Sequence, residues 1–423
     1  MKRDGSVVKK LLFLLLVASL PLLLIIFSDP AQQFEVSDST LSKHPEPTNN
    51  LTTSPPSQIK AHHRAQHHLP LSPDDSRLSR GFTLFGESGT AMTKLVNMSG
   101  EVVKAWDFDA ARTRLLPNCN VLVVHGTKWG WSQKKWDALR PFIREYDWNG
   151  NVVWEHELPG PAHHDVQRLP NGNTLILYRG LVPNSAKQSI EDPMKRNAKI
   201  RTDIIVEVTP SGETVWEWKA HNHLDLNSCG RFHCEPLPES ISSRKRVFDW
   251  THSNGISIIP ENKWHKGGDQ RFAPGNIILT IRNWSTFVVI SRNSGEVVWR
   301  FDEGLSGGHE AIMINDTLPG AGNILVFNNG RDKEQSEVLE INPIKKSTIW
   351  KYSNGSEFYS AAAGRAQRLS NGNTLISEDV PGKIFEVSPT GEILWKYEAG
   401  VRTARAHRYL QNACERLKSL SLE

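Results

Sequence analysis

The sequence has no dominant charge of either sign: 50 lysines and arginines stand against 46 aspartates and glutamates, for a formal net charge of +4. So even a balance leaves no electrostatic footprint for nucleic acid or an acidic polymer as partner. Cysteine is scarce, with 4 in 423 residues, and no C-x-x-C pair occurs. A zinc site built from Cys229, Cys234, His221, His223 and His233 is therefore the weaker reading of that loop. A small disulfide ring between Cys229 and Cys234 is the stronger one and fits an oxidising compartment. No G-x-x-x-x-G-K-[ST] stretch is present, which removes a phosphate-cradling loop of that type.

What is present begins with a basic N-terminus, Lys2, Arg3, Lys9 and Lys10, followed by an uncharged apolar run from Leu11 to Phe27. As a helix this run rises about 25 Å, slightly less than a hydrocarbon core. The basic flank predicts a cytoplasmic N-terminus, with everything after Ser28 on the other side of the membrane. A cleaved signal peptide is the rival, but the run ends Ile25-Ile26-Phe27 without a small-residue cleavage site. Residues 1–28 are thus expected to be an uncleaved, single-pass type II signal anchor. The Ser-, Pro-, Thr- and His-rich residues 29–80 are expected to form a flexible, disordered stalk. The body would then lie on the lumenal or extracytoplasmic side, in the secretory pathway or, in a bacterium, the periplasm. Sequons begin at Asn50, Asn97, Asn283, Asn315 and Asn354, of which Asn97, Asn315 and Asn354 are the candidate glycosylation sites.

From Gly81 onward the chain repeats. A turn and an alternating strand end in tryptophan at Trp106, Trp154, Trp216, Trp299, Trp350 and Trp395, with intervals of 48, 62, 83, 51 and 45 residues. A second element, a turn and an apolar strand, recurs as PNCNVLVV, PNGNTLIL, PGNIILTI, GAGNILVF and SNGNTLIS. Asn-Gly and Ser-Gly turns between alternating runs are hairpin signals. One small antiparallel sheet cannot cover both its faces, whereas six packed radially can. The fold class is therefore all-β, a six-bladed β-propeller over residues 81–408, with a transmembrane helix before it and a helical tail over 409–423. The tryptophans read as anchors between blades. Residues 402–408 are in place to supply the missing first strand of unit one and close the ring.

Alignment of the repeats exposes the opening strand of each unit, which in a propeller lies nearest the axis. The third unit has His163-His164-Asp165 there, the fourth has His252 and the fifth has His309, while Ala111 and Gly364 stand at the matching places in units two and six. Blade stability has no need of imidazole at three matched positions, so His164, His252 and His309 are the candidate catalytic residues. Arg282 ends the second strand of the fourth unit and suits a tetrahedral oxyanion. His163 and Arg179 are candidates for holding substrate.

The HHDVQRLPNGN strand, the DWTHSN segment, the IRN hairpin, the HLDL stretch, the GGHEA strand and AQRLSNGNTLI together resemble the arylsulfotransferases, over about residues 80–408. The resemblance implies nucleotide-independent transfer of a sulfuryl group from an aryl sulfate to a phenol, with no cofactor. It places the nucleophile at His309 and the supporting groups at His164, His252 and Arg282. A long insertion in the fourth unit and Glu310 beside the nucleophile depart from the family pattern. Two other readings stand beside it: a metal-dependent hydrolase or lyase with the three histidines as ligands, and a non-catalytic binding propeller, which leaves the three histidines unexplained.

Overall fold

A computed structural model describes residues 75–88, 90–127, 130–230, 232–234 and 247–423. The expected anchor, and the stalk up to residue 74, lie outside them. Among the described residues no helix is long and apolar enough to cross a membrane.

Six sheets, each with a run of four antiparallel strands, build a propeller, and in the third Val247–Asp249 adds a parallel strand. Their first strands are Thr403–Tyr409, Arg112–Leu115, Ala162–Arg168, Ser253–Ile258, His309–Met313 and Arg365–Arg368. Each of these touches the next around a closed ring, so they line the axis. The C-terminal strand Thr403–Tyr409 pairs with Phe82–Glu87, and this closes the first sheet on the chain's two ends. The apolar second and third strands, such as Ile277–Ile281 and Thr286–Ile290, are buried throughout because they pack against neighbouring blades on both faces.

The tryptophan repeat has one structural cause. Each indole N–H donates to a carbonyl in the turn before the outermost strand of the next blade. Trp106 reaches Trp148 O at 3.1 Å, Trp154 reaches Pro210 O at 2.8 Å, and Trp216 reaches Arg292 O at 3.1 Å. Trp299 reaches Pro343 O at 3.0 Å, Trp350 reaches Pro389 O at 2.7 Å, and Trp395 returns to Met98 O of the first blade at 2.8 Å. A large apolar ring fills each blade junction while its one polar atom is satisfied.

The edges of the body differ from the sequence reading. Residues 75–80, assigned there to the stalk, dock on the sixth sheet: Leu78 is buried, Ser79 N–H donates to Glu386 at 2.8 Å, and Asn373 donates to Arg77 O at 2.7 Å. In the tail only Glu415–Lys418 is helical. It is held by a disulfide from Cys414 to Cys119, 295 residues away in sequence, with a Cα–Cα distance of 5.3 Å. Cys229 and Cys234 are also joined, Cα–Cα 4.8 Å, so neither is a metal ligand. Asn97 corrects the glycosylation expectation. It is buried, and its carbonyl oxygen accepts from Ser99 Oγ–H and Glu101 N–H, both at 2.8 Å, whereas Asn315 and Asn354 are exposed.

Candidate active site

The innermost strands enter the sheet through a kink. His164, His252, Glu310 and Arg405 have φ of 62°, 46°, 42° and 49°, and the pairing register breaks beside each. Left-handed backbone at a residue other than glycine costs about 1–3 kcal/mol and persists only where its surroundings hold it. Buried carboxylates do so here. Asp203 accepts from Thr251 Oγ1 at 2.6 Å and from Ser253 N–H, and Asp379 accepts from Arg405 N–H at 3.1 Å. In the sixth unit Gly364 has φ 108°, and a Cβ there would come within 2.5 Å of the Phe327 ring, so this blade admits no side chain at that place.

The kinks break the alternation that would send neighbouring side chains to opposite faces. His163 and His164 are consecutive, yet their Nδ1 atoms lie 2.7 Å apart. The ring of His252 meets that of His164 edge-on at 5.1 Å. His252 Nδ1 is hydrogen-bonded to Asp249, and His163 Nε2 stands 3.2 Å from Asp203 Oδ1. His309 is fully buried. Its Nδ1 lies 2.6 Å from Asn329 Oδ1 and 3.1 Å from Gly307 O, and the Ala363 N–H donates to its Nε2 at 3.0 Å. Two acceptors at Nδ1 and a donor at Nε2 define one tautomer: Nδ1 carries the proton and Nε2 the lone pair.

The six residues singled out from sequence share one electrostatic neighbourhood. The charge of Arg282 acts on both His252 and His309, and that of Arg179 acts on His163, His164 and His252. Arg282 also donates to Asn283 Oδ1 at 3.0 Å. Burial pushes His163 down to about 4, and it holds His164 and His309 well below the ordinary histidine value, with the fields of neighbouring His and Arg groups adding to the effect. Burial, aided by Arg201, brings Arg179 down to about 10. Around His252 the balance differs: burial lowers its pKa while Asp249 raises it. Burial works to raise Asp249, but His252 and Arg201 outweigh it and keep the carboxyl ionised. The result is neutral rings at His163, His164 and His309 among guanidinium groups, with the Asp249 carboxylate favouring a proton on His252, a setting for a singly charged oxyanion attacked by nitrogen.

Sequence reasoning missed several of these groups. Asp203, Asp249 and Asn329 lie outside the opening strands on which the repeats were aligned. Arg405 sits on the ring-closing strand at the place where other units carry imidazole. Asp165 and Glu310, which follow two of the histidines, turn instead to the axis. There Arg112 contacts both, at 3.1 and 2.6 Å, Arg114 contacts Asp165 at 2.9 Å and Arg365 contacts Glu310 at 2.8 Å. Among the described residues no group of three or more His, Cys, Asp or Glu is arranged to hold a metal ion.

No curated protein matches the chain. Among solved structures it is similar to a protein of unknown function from Bacteroides caccae, at 14% identity over 78% of this chain and 98% of the other, TM-score 0.48. It is also similar to virginiamycin B lyase from Staphylococcus aureus, at 13% identity over 69% and 72% of the two chains, TM-score 0.37. Residues 141–400, more than half the sequence and four of the six blade junctions, match the family described as Arylsulfotransferase (ASST), and the chain belongs to that family of transferases.

Proposed function

We propose that the protein moves a sulfuryl group from an aryl sulfate to a phenol through a sulfo-histidine at His309. The observation that carries this reading is the orientation of His309, whose Nε2 lone pair is defined by the contact of Nδ1 with Asn329. Nε2 attacks sulfur in line, the sulfur–aryl oxygen bond breaks, and its electron pair leaves on the phenolate. As the N–S bond forms, the Ala363 amide must give up Nε2, and a sulfuryl oxygen is its natural new acceptor. Arg282 and Arg179 balance the charge of the transferring group. His252, backed by the ionised Asp249, protonates the departing phenolate. Asn329 offers a neutral acceptor where a carboxylate would over-stabilise the imidazolium, so the N-sulfo group keeps its transfer potential. A second phenol then takes the group and restores His309.

Enzyme mixed with an aryl sulfate alone should release one equivalent of phenol in a burst and acquire an acid-labile sulfuryl group on His309. His309→Ala should abolish both. Arg282→Ala should slow the burst by about 3 kcal/mol, typical for loss of one transition-state donor, without moving the label. A full burst from the His309 variant, or a label on His164, would overturn the assignment.

A further inference from the structure

Behind His164 the third sheet carries a line of polar contacts running from the site into the blade wall. Asp203 Oδ1 lies 3.2 Å from His163 Nε2, and His163 Nδ1 lies 2.7 Å from His164 Nδ1. Two ring nitrogens that close require one proton between them. Asp203 is ionised: burial opposes this, but His163, Thr251 and the Ser253 amide together hold its carboxyl below the ordinary value. A carboxylate at Nε2 calls for a proton on Nε2, which leaves His163 Nδ1 as an acceptor. The shared proton therefore belongs to His164 Nδ1, and the lone pair of His164 is on Nε2.

We infer that His164, oriented by His163 and Asp203, is the base that takes the proton of the acceptor phenol, an inference that rests on the sulfo-histidine reading above. In the discharge step the phenol O–H proton passes to His164 Nε2 and the phenol oxygen forms its bond to sulfur. The sulfur–Nε2 bond of His309 breaks and returns its electron pair to that nitrogen. His164 is then an imidazolium whose Nδ1–H points at His163 and, through it, at the Asp203 carboxylate. The groups facing it are His163 on its own strand, Arg179 on the neighbouring strand, His252 of the fourth sheet and Arg405 of the first. Burial, with the positive fields of Arg179 and Arg405 beside it, keeps the resting ring neutral and ready to accept. The Asp249 carboxylate draws the proton onward to the adjacent ring of His252, which spent its own proton on the first phenolate. One proton thus travels from acceptor to leaving group per turnover, and no other reactant is needed. His163 and Asp203 are positioning residues here, and His164 touches substrate.

The test separates the two half-reactions. His163→Leu removes the acceptor behind His164, whereas His163→Asn keeps a carbonyl oxygen near the position of Nδ1. With an aryl sulfate alone, the burst of both variants should slow far less than the discharge does. Discharge of the sulfo-enzyme by a weakly acidic phenol should fall about 100-fold in His163→Leu, the usual contribution of a general base, and recover most of that in His163→Asn. The deficit should vanish with acidic nitrophenols that arrive already ionised. In the wild-type enzyme the discharge should carry a solvent deuterium isotope effect that is lost with the same acidic acceptors. That measurement needs no variant to fold. Equal slowing of burst and discharge, or an isotope effect independent of acceptor acidity, overturns this inference alone. A wild-type protein with no burst removes the sulfo-histidine reading and this one with it.

Discussion

Glu310 and His309 are sequence neighbours with opposite duties, separated by the kink at φ 42°. His309 faces Asn329 and Ala363, while Glu310 is buried among Arg112, Arg365 and, at 3.5 Å, Arg405. Four guanidiniums, Arg112, Arg114, Arg365 and Arg405, share two carboxylates, Asp165 and Glu310, so the axis holds two surplus positive charges. That surplus would favour the anionic substrate proposed for the neighbouring site. Removal of one carboxylate leaves buried cations uncompensated, which costs about 3–5 kcal/mol. Glu310→Gln should therefore lower the unfolding free energy by about that much in urea titrations. Asp316→Asn, which breaks an exposed pair with Lys266 at 3.3 Å, should cost less than about 1 kcal/mol. Comparable small losses from both would show that the axial network is not electrostatically constrained.

At the scale of elements, the propeller depends on its closing strand. Thr403–Tyr409 completes a sheet begun more than 300 residues earlier, and release of that strand would expose two sheet edges. Two devices hold it. Buried Arg408 donates to Thr83 Oγ1 at 2.7 Å and Ser79 O at 2.7 Å, and the Cys119–Cys414 disulfide fastens the chain just after it. A cross-link spanning 295 residues removes much of the freedom of the unfolded chain, on the order of 5 kcal/mol in the chain-entropy view. Cys414→Ser should lose about 2–5 kcal/mol and make the closing strand exchange its amide hydrogens first. Unchanged protection of residues 403–409 in that variant would place the closure in the side-chain contacts alone.

For the whole molecule, burial of neutral imidazole sets a pH limit. His125, enclosed with Tyr146 and the Asp109 carbonyl, and His163 are both lowered to about 4, chiefly by burial. Their unfolded value is about 6.5. Above that pH both states are neutral and the stability is full. Below it the unfolded chain binds protons that the folded one refuses, so stability falls as pH drops from about 6.5 towards 4. Each such group contributes on the order of 3 kcal/mol across the window. Urea midpoints should accordingly decline steadily from pH 7 to pH 4.5, and His125→Gln should flatten part of that slope. A level profile would mean that these rings are protonated in the fold.

The sequence by itself determined the repeat, the number of blades and three histidines at matched places. Hairpin turns, alternation and blade register are local properties, and a symmetric fold copies them into equivalent positions. The carriers of the site's chemistry beyond those histidines were decided by the tertiary structure. A positive φ at His252 or Arg405 has no sequence signature, because only the enclosing contacts of Asp203 and Asp379 make it tolerable. Pleat alternation would have parted His163 from His164, and the kink joins them. Asn329 reaches His309 from just beyond the neighbouring strand of the same blade, Asp203 reaches Ser253 across a blade junction, and Cys119 meets Cys414 only when the ring closes. Such pairings depend on distances that chain order does not encode. Local pattern specified the six blades, and their closure around one axis specified which residues meet there.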